Sequence, residues 1–301
     1  GPMARHVADL ELALRVLADP GQLGETGEPP FAPLEDSKEI DLRRLRIGYW
    51  SDDGYFASSP AVARAVEEAA GSLADRGTVV KPFAPPTLPE GLATYFGLVS
   101  ADGGADLKRL LRGSRVDARL RRLERLGGYP RWLRVPLAGL LRMSGQHYLA
   151  ELLSWCGPRS ADGFWQLTLR RDEYRQRFRQ ALRAAGIDVL ICPPHALPAL
   201  KHGRGVDLLQ AASSTILLNL LGYPAGTVPI TRVRPGEDTG REAGRDSVQR
   251  IARSTELGSA GLPVGVQVVA GPWQEARILA VMAHLERHFR QQDDYPSLPP
   301  L

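Results

Sequence analysis

The sequence predicts an α/β protein: a mixed β-sheet flanked by helices. Three observations carry this. Leu45-Arg46-Ile47-Gly48-Tyr49-Trp50 and Thr78-Val79-Val80-Lys81-Pro82-Phe83 are short strand signals, separated by a helical stretch over 61–76. That order and spacing suit a βαβ unit. Asp188-Val189-Leu190-Ile191-Cys192 is an apolar run stopped by Pro193-Pro194, the pattern of a central strand. Two more strands are expected over 225–233 and 263–270. In the second, Val264, Val266 and Val268 alternate against Gly265 and Gln267.

The remaining elements follow in chain order. The first is an amphipathic helix with Val7, Leu10, Leu14 and Leu17 on one stripe. Residues 20–41, rich in Pro, Gly and acid, read as a connecting loop. Pro60 suits a first helical turn, and Gly77 ends the helix over 61–76. Residues 90–127 read as helix, 130–155 as one or two more, and 158–185 as a long helix closed by Gly186. Helix is also expected over 207–221 and 273–290. Residues 234–258 are polar, carry both charge signs, and read as a mobile surface loop. There is no internal repeat.

Composition narrows the function classes. The chain has 301 residues, 43% of them hydrophobic, enough for a large core. No apolar run is long enough to span a membrane. Cys156 and Cys192 stand far apart and suggest no disulfide framework, so a reducing, cytoplasmic compartment is expected. No Cys/His cluster has metal-ligand spacing, so neither a metal nor a cofactor is predicted. Net charge is +4, mostly from Arg. The basic run Arg109, Arg112, Arg115, Arg119, Arg121, Arg122 and Arg125 contains no stacking aromatic. Its Leu110, Leu111, Leu120, Leu123 and Leu126 form a helical stripe. It reads as a solvated face, and no nucleic-acid partner is expected.

Several blocks occur in an order that resembles the amidase-signature family. They are Gly1-Pro2-Met3-Ala4-Arg5, Leu45-Arg46-Ile47-Gly48-Tyr49, Ser59-Pro60-Ala61, Asp102-Gly103-Gly104 and Pro158-Arg159-Ser160-Ala161. Asn219 follows, with Tyr223-Pro224-Ala225-Gly226-Thr227-Val228-Pro229. Then come Gly261-Leu262-Pro263-Val264-Gly265-Val266-Gln267 and Pro272-Trp273-Gln274-Glu275. The Pro158 and Pro272 blocks look most like the fatty acid amide hydrolase branch. The Pro-Ala-Gly and Gly-Leu-Pro blocks sit at strand starts, where Gly and Pro set backbone geometry, and read as scaffold.

The resemblance implies a partial amidase fold, the C-terminal portion of a single amidase domain over 1–301, with the N-terminal catalytic part absent. The family hydrolyses a carboxamide C–N bond with a Ser nucleophile activated through a second Ser by a Lys. A hydroxyl needs a base to remove its proton and N–H donors to hold the oxyanion. The chain has no Ser pair in a Gly-rich segment. Lys38, Lys81, Lys108 and Lys201 read as loop or helix-surface residues. No catalytic residue is therefore assigned, and the chain alone is expected to be inactive. The expected substrate is a small amide, of lipophilic (fatty acid) type. Two alternatives stand: a non-catalytic amidase-like binding or dimerisation protein, and the amidase subunit of an amidotransferase.

Other candidates read as structural. Ser213-Ser214-Thr215 lie within predicted helix, without the Gly-lined turn that presents a nucleophile. His195 and His202 read as solvent-facing loop residues. Glu67-Glu68 and Asp52-Asp53 read as solvated faces, because adjacent carboxylates point apart.

By the resemblance, Leu98, Val99, Ser100, Asp102, Ala212, Thr215 and Ile216 wall an acyl-chain tunnel. Burying alkyl groups there contributes about 0.8 kcal/mol per CH₂. Ser100 and Ala212 are smaller or more polar than the large apolar residues expected, which argues against a strict long-chain preference. Ordinary core packing is the alternative. Residues 130–155 mix Trp132, Leu133, Leu137, Leu140, Leu141, Leu149, Leu152, Leu153 and Trp155 with Arg131, Arg134 and Arg142. This composition suits helices lying in a membrane surface. It occupies the position of the family's membrane cap, so Trp132, Leu133, Leu137, Leu140 and Leu141 are candidate membrane contacts. A helical hairpin packed on the core, or on a second subunit in a homodimer, is the alternative.

Overall fold

The computed structural model describes residues 1–18, 34–115, 117 and 130–297. Its elements are α1 (Val7–Leu17), β1 (Arg46–Tyr49), α2 (Pro60–Asp75), β2 (Val79–Pro82), α3 (Leu88–Val99), α4 (Ala105–Leu110) and α5 (Arg131–Met143). These are followed by α6 (His147–Trp155), α7 (Ala161–Ala185), β3 (Val189–Cys192), a 3₁₀ segment (Gly205–Ala212), α8 (Ser213–Leu221), β4 (Ala225–Arg232), α9 (Ser247–Glu256), β5 (Pro263–Ala270) and α10 (Glu275–Phe289).

The five strands form one sheet in the order β2-β1-β3-β5-β4. β1 is parallel to both β2 and β3, whereas β5 is antiparallel to β3 and to β4. The sheet is mixed because β5 alone runs against the other four strands, which share one direction. Alternation along the strands divides the core in two. Val189, Ile191, Val264, Val266 and Val268 face one layer with α2 and α10. Leu190, Cys192 and Val269 face the other, with α3, α7 and α8. The α2 stripe Ala61, Ala65, Ala69 and Leu73 is fully buried, and its small side chains let the helix lie close to the sheet. Ser59 caps that helix, its hydroxyl accepting from the Val62 N–H at 3.4 Å.

Three expected spans differ from the structure. The helix over 90–127 is interrupted after Val99: Gly103 (φ 66°) and Gly104 (φ 79°) take left-handed conformations that a continuing helix excludes. Its residues 116 and 118–127 lie outside the described residues, as does 19–33 of the expected loop. The helix over 207–221 is a 3₁₀ segment followed by α8, with Leu208 non-helical inside the 3₁₀ segment. The loop over 234–258 contains α9. Asp246 caps α9 by accepting from the Val248 N–H at 2.8 Å, and the same carboxylate accepts from the Tyr148 N–H at 3.2 Å. Val248, Ala252 and Thr255 are buried on one stripe. The polar composition is that of an amphipathic helix with a narrow apolar stripe, docked by its cap onto α6. The long helix and its stop at Gly186 (φ 58°) match expectation.

Candidate functional site

The break between α3 and α4 opens a cavity of about 540 Å³. Tyr95, Phe96 and Val99 of α3 form one wall, and Leu107 and Leu110 of α4 another. Leu152 and Cys156 come from the end of α6, and Leu209, Ala212 and Ile216 close the far side. Five of the seven residues expected at an acyl site line it: Val99, Ser100, Asp102, Ala212 and Ile216. The other two lie elsewhere. Leu98 packs against the core beside α3. Thr215 turns its hydroxyl to the Pro194 carbonyl at 2.6 Å, with Gln267 Oε1 at 3.2 Å.

Two polar lining residues, Ser100 and Asp102, are held by backbone, whereas Asp106 pairs with Arg109 at 3.3 Å. Ser100 donates to the Phe96 carbonyl at 2.5 Å and accepts from the Gly157 N–H at 2.8 Å. Its hydroxyl is therefore satisfied. Asp102 accepts the N–H groups of Asp106 and Gly104, both at 2.8 Å, and these bonds hold its carboxyl below the ordinary range. The carboxylate caps α4. Burial pushes the Cys156 thiol up to about 11, so it behaves as an apolar wall and not as a nucleophile. Val99 and Leu110 are exposed at the rim. The site is a largely apolar slot in which the Ser100 and Asp102 side chains are turned to the backbone.

The serine cluster lies apart from this slot. Trp50 Nε1 donates to Ser214 Oγ at 3.1 Å, and the Ser213 hydroxyl donates to Asp53. Ser213 is 1% exposed and so shielded from solvent. Asp53 corrects the expectation of a solvated pair. It lies in the turn after β1, accepts from the N–H groups of Tyr55 (2.9 Å) and Phe56 (3.0 Å), and burial raises its pKa above the ordinary value. His195 is likewise half-buried, and burial lowers its pKa, whereas His202 is exposed as expected. All four lysines are exposed, with Lys81 in β2. Among the described residues no group of three or more His, Cys, Asp or Glu side chains could hold a metal ion.

The expected membrane segment splits into two helices with opposite roles. On α5, Trp132 (76% exposed), Leu137 and Leu140 face solvent. Val135 and Met143, which composition alone did not single out, join them. Leu133 is half-buried, and Leu141 packs against Ala138, Ala150 and Leu153. On α6, Leu152 and Leu153 are buried, and Trp155 stacks on Phe96 with ring centroids 6.1 Å apart. Arg134 departs from the expected surface role: it is 3% exposed. Gly157 (φ 116°) makes room for it, since a Cβ there would collide with the Arg134 guanidinium carbon. No helix among the described residues is long and apolar enough to cross a membrane.

The family model for amidases matches residues 1–279. The chain belongs to the amidase family. It is 35% identical to fatty-acid amide hydrolase 1 of Sus scrofa over 292 residues, covering 95% of this chain and 50% of that protein. It is 27% identical to a glutamyl-tRNA(Gln) amidotransferase subunit of Myxococcus xanthus, covering 95% of this chain and 54% of that protein. A solved fatty acid amide hydrolase superposes with a TM-score of 0.73 at 20% identity, covering 95% of this chain and 47% of that one; this likeness speaks to fold alone. The chain spans about half the length of the curated relatives it matches. Membership of the amidase family and a partial amidase fold are thus established.

Proposed function

We propose that this chain is the C-terminal, acyl-binding portion of an amidase that hydrolyses lipophilic carboxamides. In that reaction water adds across the C–N bond, giving a carboxylate and an amine. On this reading the chain supplies the slot for the acyl group and not the nucleophile. Its lysines are exposed and its paired serines, Ser213 and Ser214, are buried in hydrogen bonds. One observation carries the proposal: an apolar cavity formed by α3, α4, α6 and α8 gathers Val99, Ser100, Ala212 and Ile216. The higher identity to a fatty-acid amide hydrolase than to an amidotransferase component favours the lipophilic substrate. The apolar outer face of α5 supports a peripheral membrane contact through which such an amide would arrive.

Calorimetric titration with a series of linear primary amides tests this. Each added methylene that enters the slot contributes about 0.8 kcal/mol, roughly fourfold in affinity. Ala212→Phe fills the slot and should displace roughly three methylenes, weakening long amides by about fiftyfold and leaving short ones unchanged. Affinity independent of chain length, or equal losses for short and long amides in the variant, would sink the acyl assignment.

A further inference from the structure

A second cavity, of about 700 Å³, lies between α5, the α6–α7 junction and the first turn of α7. We propose that it binds the phosphate of an anionic phospholipid, fixing how the protein sits on a membrane. The proposal rests on the membrane-facing reading of α5 and adds the lipid that this face selects.

Three guanidinium side chains, from Arg134, Arg142 and Arg159, line the cavity. Asp162 is the single carboxylate among its described lining residues. Arginine is suited to phosphate because its planar fork of five N–H donors matches two oxygens at once. Arg142 donates to Ser154 Oγ at 3.4 Å, and Arg159 donates to the Trp155 carbonyl at 2.7 Å, which anchor the two side chains beside the opening. The Gly157 backbone passes close to Arg134, leaving no room for a Cβ beside the guanidinium. The cavity also receives the N-terminus of α7, a 25-residue helix capped by Ser160, where the helix dipole favours negative charge.

What surrounds this cationic cavity identifies the anion's carrier. Val135 belongs both to its lining and to the exposed apolar face of α5, with Trp132, Leu140 and Met143. On the other side, Phe164 and Trp165 directly follow the lining residue Gly163 and are exposed. A soluble phosphate compound has no use for such apolar shoulders. A phospholipid does: aromatic and aliphatic side chains enter the acyl boundary while the arginines remain at the level of the head groups.

Vesicle partitioning of the 301-residue chain is the test. The vesicles are phosphatidylcholine alone, or phosphatidylcholine with about one third phosphatidylglycerol. Partitioning should be about tenfold stronger onto the anionic vesicles. Arg142→Gln and Arg159→Gln, each checked for an unchanged circular dichroism spectrum, should lose most of that preference and keep the binding to neutral vesicles. Arg287→Gln with Arg290→Gln, both exposed on or next to α10, should keep the preference, since net charge falls without touching the cavity. Equal binding to the two vesicle types overturns the phosphate assignment while the membrane reading stands. So does an equal loss in the α10 control, which would mean diffuse charge attraction. Saturable binding of inorganic phosphate without any vesicle preference would assign the cavity to a free anion instead. Absence of binding to either vesicle, or a dimer in sedimentation that Trp132→Ala dissolves, overturns the membrane reading and this proposal with it.

Discussion

Arg241→Met should be among the most destabilising single changes in this chain, and its cost should depend on pH. Arg241 and Glu256 are an ion pair at 2.7 Å with side chains only 7% and 1% exposed. The guanidinium also donates to Gln249 Oε1 at 2.9 Å and to the Ala57 carbonyl at 2.5 Å, and stands 5.3 Å from the centre of the Phe56 ring. It therefore clasps α9 to the segment that leads into α2. Glu256 Oε2 is buried without a hydrogen-bond partner. Burial raises the Glu256 pKa, and only the attraction and hydrogen bond of Arg241 oppose this. Removing one member of such a pair leaves an uncompensated buried charge, at a cost of about 3–5 kcal/mol. The sign with pH follows. In the variant the folded-state pKa of Glu256 moves further above its unfolded value, so the native state binds the extra proton. The penalty is then largest above that folded pKa and shrinks as pH falls toward the unfolded value near 4.5. Urea denaturation at pH 8 and at pH 5 measures this, with the midpoint moving at constant slope. Arg241→Met with Glu256→Met should recover most of the loss, because an apolar pair of similar volume is often neutral. A loss under about 1 kcal/mol, or one equal at both pH values, would refute the clasp.

Two further predictions use the same denaturation assay. Gly265→Ala should cost about 2–3 kcal/mol, because its Cβ would lie 2.7 Å from the Val228 carbonyl oxygen, and paired backbone has nowhere to move. Gly226→Ala should cost less although its nearest atom is closer still, since that atom is the sulfur of the adaptable Met282 side chain; equal costs would contradict the reasoning. Burial lowers the pKa values of His195 and His284 below the ordinary 6.5, so the unfolded chain protonates first as pH falls. Stability should decline from pH 7 through 6.5 and below, and the slope should flatten in His195→Gln and His284→Gln; an unchanged slope in both would rule the histidines out.

The strands and their faces were readable because strand signals are local. Val264, Val266 and Val268 alternate against Gly265 and Gln267, and those three valines do face one layer. The block Gly-Leu-Pro-Val-Gly also reads as scaffold in space, with Gly265 placed where the next strand leaves no room for a Cβ. Helix breaks were less readable. Gly103-Gly104 gave a visible stop signal inside the expected helix over 90–127, yet the flanking leucine periodicity continued through it. The helix within 234–258 announced itself through Asp246 and the spacing of Val248, Ala252 and Thr255, but charge dominated the composition. The stabilising partners of that segment are Tyr148, Ala57 and Phe56, distant in sequence, and no local pattern points to them.

The same distinction explains what was and was not visible at the site. Five of the seven residues singled out by motif position line the cavity, and Leu98 and Thr215 do not. The role of Ser100 was not visible. Read alone, a hydroxyl in an acyl slot argues against a long apolar chain. In the fold, that hydroxyl closes a bond to Phe96 and receives the N–H of Gly157 from the α6–α7 junction. A satisfied hydroxyl costs an alkyl ligand far less than a free one would. The same Gly157 passes close to Arg134, which lines the neighbouring cationic cavity. The apolar slot and the arginine cavity thus share one backbone segment, Cys156–Arg159. Any coupling between ligands at the two would be reciprocal, whatever its sign.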